Sequence, residues 1–262
     1  MINKLAFALH SKGNITMENI SAQFPPTIKI GILVFPDFEP LDVWGFIEAF
    51  SISRFIGTNY SNTAPYPFQI ELISAEEKNS ATQDRPQSVR SYNGPRVMPD
   101  WFRDEALEQS FHVLMIPGGQ GVRTIMSMEN SSTQAFNELM QWIKTMDQLI
   151  PIMTSVCTGT ALLARSGVLD GKHAATNHQA FAWVTQFGPK VYWDNVSRWV
   201  DAGKYITSAG VSAGTDMAFH LVSRLAGRAV AEAAAKSAEY DWHRNPDEAI
   251  YYPQQASIPS SR

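Results

Sequence analysis

At 262 residues the chain can form one large domain or two small ones, and its 44% apolar content is ordinary for a globular protein. No stretch approaches the roughly 18 uninterrupted apolar residues of a membrane-crossing helix, and a net charge of −4 lacks the basic excess of a nucleic-acid binder. With one cysteine, an intrachain disulfide framework is excluded, which points to a reducing compartment and a cytoplasmic location.

Residues 1–27 read as a polar N-terminal extension ending in Phe24-Pro25-Pro26. Its one apolar run, Leu5 to Leu9, is shorter than the core of about 7–15 residues in a signal peptide. Ile28 to Phe35 predicts a first strand, apolar enough to be covered on both faces. A helix follows from Leu41 to Phe55, turning Leu41, Trp44, Ile47, Ala49 and Phe50 inward. Phe68 to Ser74 is a second strand, and Val89 to Val97, centred on Asn93-Gly94, suggests a hairpin or turn.

Phe111 to Ile116 is a third strand, ending at Pro117-Gly118-Gly119-Gln120-Gly121. Phe136, Leu139, Met140, Ile143 and Met146 then recur at the spacing of an amphipathic helix. The apolar run Leu149 to Thr154 is a buried strand leading into Ser155-Val156-Cys157-Thr158-Gly159-Thr160, with helix-forming residues behind it. Ala174 to Thr176 reads as a short strand before a helix from His178 to Phe187. Val196 to Val200 and Tyr205 to Ser208 pair around Asp201-Ala202-Gly203-Lys204, and a last helical region starts near Ser212. A surface tail begins at Pro246. This alternation predicts an α/β fold with a mostly parallel sheet and helices on both faces, in one domain over residues 28–242 with a tail from 243 to 262.

Cys157 lies on a strand-to-helix turn, the position from which a nucleophile points out of the sheet. The following helix offers N–H groups and a dipole that favour thiolate, although a free cysteine can equally pack as a small hydrophobe. Gly119 and Thr158 are the natural backbone donors for an oxyanion hole. Asp42 is the first choice for a general acid or base, with Asp37 and Glu39 in the same loop. His178 could reach the cysteine, and the Thr158 hydroxyl could bond its sulfur. Asp42 and Asp216 could also be plain helix caps. No metal-ligand set, Walker loop or dinucleotide fingerprint is present, so neither metal nor cofactor is expected.

Three segments in this order carry a resemblance: Pro117-Gly118-Gly119-Gln120-Gly121, Ser155-Val156-Cys157-Thr158-Gly159, and Ala175-Thr176-Asn177-His178. Over residues 28–242 the chain resembles the ThiJ/PfpI superfamily, which has the class I glutamine amidotransferase-like fold. Pro40-Leu41-Asp42-Val43-Trp44-Gly45 and Ser212-Ala213-Gly214-Thr215-Asp216 are most similar to the isonitrile hydratase-like branch. The resemblance implies a flavodoxin-like three-layer sandwich with a cysteine nucleophile elbow. It further implies a homodimer acting on a small-molecule substrate, a nucleophilic Cys157 hydrogen-bonded to Asp42, and lyase chemistry that turns isonitriles into N-substituted formamides. Trp44, Phe46 and Asn177 depart from the usual pattern and put substrate identity in doubt. The competing expectations are a glyoxalase- or deglycase-like enzyme, which usually has glutamate in place of Asp42, and a redox or ligand sensor. A regulator of the AraC type would need a helix-turn-helix module after the fold, for which few residues remain.

Overall fold

The computed structural model describes residues 27–54, 66–78 and 83–248. The expected N-terminal extension, apart from Thr27, the end of the expected first helix at Phe55, and most of the expected C-terminal tail lie outside these residues. The elements run β1 (Ile28–Val34), α1 (Pro40–Ser51), β2 (Phe68–Ser74), β3 (Val89–Arg90), β4 (Arg96–Val97), α2 (Arg103–Ala106) and β5 (Val113–Ile116). They continue as α3 (Gln120–Ser131), α4 (Thr133–Leu149), β6 (Ile152–Ser155), a short 3₁₀ turn (Cys157–Gly159), α5 (Thr160–Ser166), β7 (His173–Ala175) and α6 (Phe181–Val184). A second 3₁₀ turn (Thr185–Phe187), β8 (Tyr192–Asp194), β9 (Trp199–Ala202), β10 (Tyr205–Ser208), α7 (Ser212–Ala226) and α8 (Arg228–Ser237) complete the chain.

Six strands form the main sheet in the order β2-β1-β5-β6-β10-β9. All neighbours are parallel except the β10–β9 pair, which the turn at Gly203 joins as antiparallel strands. The chain runs from β1 outward to β2 and then returns to the other side of β1 with β5, so strand order reverses there. Successive residues of β6 show the two covered faces: the Thr154 hydroxyl touches the Met217 sulfur on α7, while Ser155 Oγ bonds Thr160 Oγ1 on α5. α1, α7 and α8 pack together on one face, and α3, α4 and α5 on the other. This is the flavodoxin-like three-layer α/β sandwich. The four inner strands are apolar enough to be buried on both faces, as parallel strands under helices must be.

Several local expectations change. Leu41 and Trp44 of α1, expected to turn inward, are exposed, and the helix expected from His178 to Phe187 is the short α6 (Phe181–Val184) running into the 3₁₀ turn Thr185–Phe187. α3 gives no clear sign in the sequence, because Gly121 and a polar stretch mask the apolar spacing Val122, Ile125, Met126 that it buries. β7 pairs with β8 in a separate two-stranded sheet rather than joining the main one. The last helical region is two helices, broken at Gly227, whose φ of 99° ends α7. The 89–97 segment is a hairpin, with Asn93 taking the left-handed conformation at its turn.

α1 and α7 approach closely where Gly45 faces Thr215, and a Cβ at Gly45 would overlap the Thr215 hydroxyl. Gly45→Ala is therefore expected to destabilise the fold by about 1–3 kcal/mol through overpacking. Thr215→Ala in the same chain should recover most of that loss, because it removes the overlapping atom. Urea midpoints of the single and double variants check this; a Gly45→Ala variant as stable as the parent would show that the helices simply move apart.

Candidate active site

The loops after β1, β5 and β6 end side by side at the carboxyl edge of the sheet, next to the point where strand order reverses. They interlock through backbone bonds. Glu39 N–H donates to the Gly118 carbonyl at 2.9 Å, Gly121 N–H to the Asp37 carbonyl at 2.9 Å, and Val156 N–H to the Ile116 carbonyl at 3.0 Å. Gly119 sits at φ 117° against the backbone of residues 37–39, a conformation and a closeness that side-chain-bearing residues rarely allow. Gly118 lies directly against the elbow, where an added Cβ would be 2.7 Å from Thr158 N and 2.8 Å from Cys157 Cβ.

Cys157 has φ 59°, in the left-handed region disfavoured for a residue with a Cβ. Its neighbours hold it there. Its own N–H donates to the Ala209 carbonyl at 3.0 Å, and its carbonyl accepts the Thr176 hydroxyl at 2.8 Å. Val156 before it packs on Gly214, where a Cβ would come within 2.5 Å of Val156 Cγ1. That contact gives the Ser212-Ala213-Gly214 segment a structural purpose. The strained turn is the nucleophile elbow that the strand-to-helix pattern predicts.

Asp42 reaches this elbow from α1. Its Oδ2 accepts the Gly118 N–H at 2.7 Å, so acid and cysteine flank one glycine. It does not cap α1, whose first residue is Pro40 and whose cap position is Glu39. Asp42 is fully buried, its Oδ2 takes the Gly118 N–H and its Oδ1 has no hydrogen-bond partner, so the Cys157–Asp42 hydrogen bond implied by the resemblance is not made; the two side chains meet across Gly118 instead. Burial pushes its carboxyl well above the usual carboxylate range; the Gly118 N–H pulls it down, and the nearby charge of Glu39 raises it again. A buried carboxyl oxygen with no donor disfavours the charged form.

The cysteine corrects one expectation. Burial first, and then the Asp42 charge, push the thiol upward, and the Thr158 N–H, the Asn177 carboxamide and the Thr158 hydroxyl only partly offset this. Both directions work against the expected thiolate: burial favours the thiol at Cys157 and the acid form at Asp42. The expected oxyanion hole is also arranged differently. Gly119 N–H donates to Thr158 Oγ1 at 3.1 Å, and Gly118 N–H serves Asp42. Both glycine N–H groups are thus committed to side chains around Cys157, one to Thr158 and one to Asp42.

Cys157, Asp42, Thr158 and Gly119 are brought together; Asp216 is not part of this group. Its carboxylate is held by Arg198 (Nε at 3.0 Å), the Tyr240 hydroxyl and the His243 N–H, a buried ion pair that anchors the C-terminal segment. His178 follows Asn177, and its charge helps hold Asp194 below the usual range, where hydrogen bonds from Ser197 and Val196 outweigh burial. In the sequence Asn177 stands out only as an unusual residue before a histidine. No local pattern marks it as one of the groups acting on the thiol. Among the described residues no group of three or more His, Cys, Asp or Glu could hold a metal ion, and no helix is long and apolar enough to cross a membrane.

The model of the DJ-1/PfpI family matches residues 28–224, from the first strand through most of α7. The chain belongs to the DJ-1/PfpI family. One curated relative is isonitrile hydratase of Pseudomonas putida, 26% identical over 214 residues that cover 81% of this chain and 78% of the relative. Another family relative is the HTH-type transcriptional regulator GbdR of Pseudomonas aeruginosa, 25% identical over 159 residues, 61% of this chain but only 40% of the regulator. A solved THiJ/PfpI family protein from Pseudomonas syringae superposes with a TM-score of 0.66 at 21% identity, covering 95% of this chain and 86% of that one. The family thus includes an enzyme and a regulator.

Proposed function

We propose that this protein is a cysteine-dependent hydratase of the isonitrile hydratase type. The observation that carries this reading is the buried Cys157–Asp42 pair joined through Gly118: a nucleophile beside a protonated acid. Isonitrile hydration needs that pairing, because one carbon must gain both a sulfur and a proton. The Cys157 sulfur forms a bond to the terminal carbon as Asp42 delivers its proton to the same carbon and takes the thiol proton in exchange. The product is a thioimidate. Water then adds through oxygen to that carbon, one water proton going to nitrogen. The remaining hydroxyl proton passes by way of Asp42 to the sulfur as the C–S bond breaks, releasing an N-substituted formamide. The balance closes with water alone, and one hard addition becomes two easier ones. The similarity to isonitrile hydratase supports this reading.

The similarity to GbdR favours a second reading, a site that binds a small molecule without turning it over. A redox sensor is less well served, since such sensors use exposed thiolates and Cys157 is buried with its thiol pushed up. Incubation with cyclohexyl isocyanide, with methylglyoxal in parallel, separates these readings. Formamide release supports the hydratase; methylglyoxal consumption alone would favour a deglycase; saturable binding with no product would favour a sensor.

Asp42→Asn gives a test with opposite effects on activity and stability. An unfolded carboxyl titrates near about 4, whereas burial, the largest influence, holds folded Asp42 above that. As pH rises past the unfolded value, the unfolded chain releases its proton while the folded one retains it, so folding loses stability until the folded group ionises too. Asparagine can still accept the Gly118 N–H but has no such loss. Relative to the parent, the variant is expected to gain stability from about pH 4 upward while turnover falls about 10²–10⁴-fold. Melting temperatures between pH 4 and 8 check the first part; a difference that does not vary with pH would contradict the neutral-acid assignment.

A further inference from the structure

We propose that Asn177 is a catalytic residue of this site, its carboxamide N–H donating to the Cys157 sulfur as charge develops there. The orientation of the amide is fixed by its surroundings. Asn177 Oδ1 accepts the Ala180 N–H at 2.9 Å, which leaves Nδ2 as the donor end. That nitrogen lies against Gly210, where a Cβ would overlap it. Both segments are tied to the elbow one residue earlier, through the Thr176 hydroxyl to the Cys157 carbonyl and the Cys157 N–H to the Ala209 carbonyl. Asn177 and Gly210 emerge from those anchors beside the elbow, and the Asn177 carboxamide is, with the N–H and hydroxyl of Thr158, one of the groups that pull the buried thiol back down.

The chemistry of the donor matters. A carboxamide carries no charge and does not titrate, so it steadies negative sulfur across the whole working pH range. It cannot accept the thiol proton, so it supplies a hydrogen bond and no base. The charged or titratable groups around this arrangement are Asp42 with Glu39 behind it, and His178 with Asp194 on the Asn177 side. The inference concerns the sulfur alone and holds for any substrate that the cysteine attacks.

Because the chain has one cysteine, labelling with [¹³Cβ]cysteine yields a single reporter of Cys157 ionisation. Asn177→Ser keeps an oxygen for the Ala180 N–H but is too short to reach the sulfur. It is expected to need a pH about one unit higher for the same ionised fraction and to be alkylated by iodoacetamide about tenfold more slowly at fixed pH, the effect of losing one hydrogen bond to a charged group. Gly210→Ala, which displaces the carboxamide without removing it, should shift the titration in the same direction if the serine variant folds poorly. His178→Gln should leave it where it is. Superimposable titrations of parent, Asn177→Ser and Gly210→Ala would overturn the proposal, as would a shift seen only in His178→Gln. Neither readout uses an isonitrile, so the proposal and the hydratase reading fail independently.

Discussion

Cys157→Ala is expected to lower isonitrile turnover by about 10⁴–10⁶-fold, the range for removal of a covalent nucleophile, with the fold intact. The thiol is small and its loss opens little space. Alanine also inherits the backbone problem without adding to it, because its Cβ meets the same resistance at φ 59°. Glycine does not. Cys157→Gly should therefore match alanine in lost activity yet unfold at a higher temperature than alanine, the relief of left-handed strain being about 1–2 kcal/mol. Formamide release and thermal melts on the three proteins read both effects. Turnover retained in Cys157→Ala would remove the sulfur from the reaction. Equal melting of the glycine and alanine variants would mean that the elbow stores no strain.

Arg198→Met is expected to have the largest effect on stability without touching the reacting groups. Asp216 is fully buried on α7, and Arg198 is its sole cationic partner among the described contacts of its carboxylate. Burial raises the Asp216 carboxyl, and Arg198 leads the interactions that pull it back. Without the guanidinium a buried charge is left facing neutral donors, which costs about 3–5 kcal/mol. The loss should grow with pH: the folded carboxyl then rises further above its unfolded value, and folding is disfavoured as pH climbs past about 4. The backbone around Arg198 also holds the end of the described chain, since its N–H donates to the Pro246 carbonyl at 2.7 Å while Trp242 Nε1 reaches the Asp216 carbonyl at 3.1 Å. Limited proteolysis should thus cut between Tyr240 and Glu248 sooner in the variant. A small loss, equal at pH 5 and pH 8, would mean that Asp216 is protonated in the parent.

Much of this architecture is readable from local pattern. β1 is an unbroken apolar run because it is buried on both faces, and α4 shows its core residues at helical spacing because only one face is buried. The elbow is legible because its three parts, an apolar strand, a lone cysteine and a helix start, are consecutive in the chain. α3 is hidden because its Gly121 is there for the backbone of Pro36, which a Cβ would overlap, and not for the helix. The protonation of the site is hidden more deeply. Asp42 is 76 residues from the N–H that binds it, and the upward push on its carboxyl comes from burial between elements distant in sequence. Asp216 looks like a catalytic or capping acid because the residue that neutralises it, Arg198, lies on the loop before β9. Asn177 has no signal at all beyond its place before a histidine.

The glycines around the elbow divide the protein into regions open and closed to change. At Gly118, Gly119, Gly121 and Gly159 the nearest atoms to any added side chain belong largely to the backbone of the neighbouring loops, which have nowhere to move. A library of random substitutions should leave an empty ring around the cysteine, where selection has no variants to act on. Exposed residues such as Trp44 on α1 lie outside that ring. Change can accumulate there while the interlocked loops around the elbow keep their geometry, which is how one scaffold can persist in relatives as different as an enzyme and a regulator.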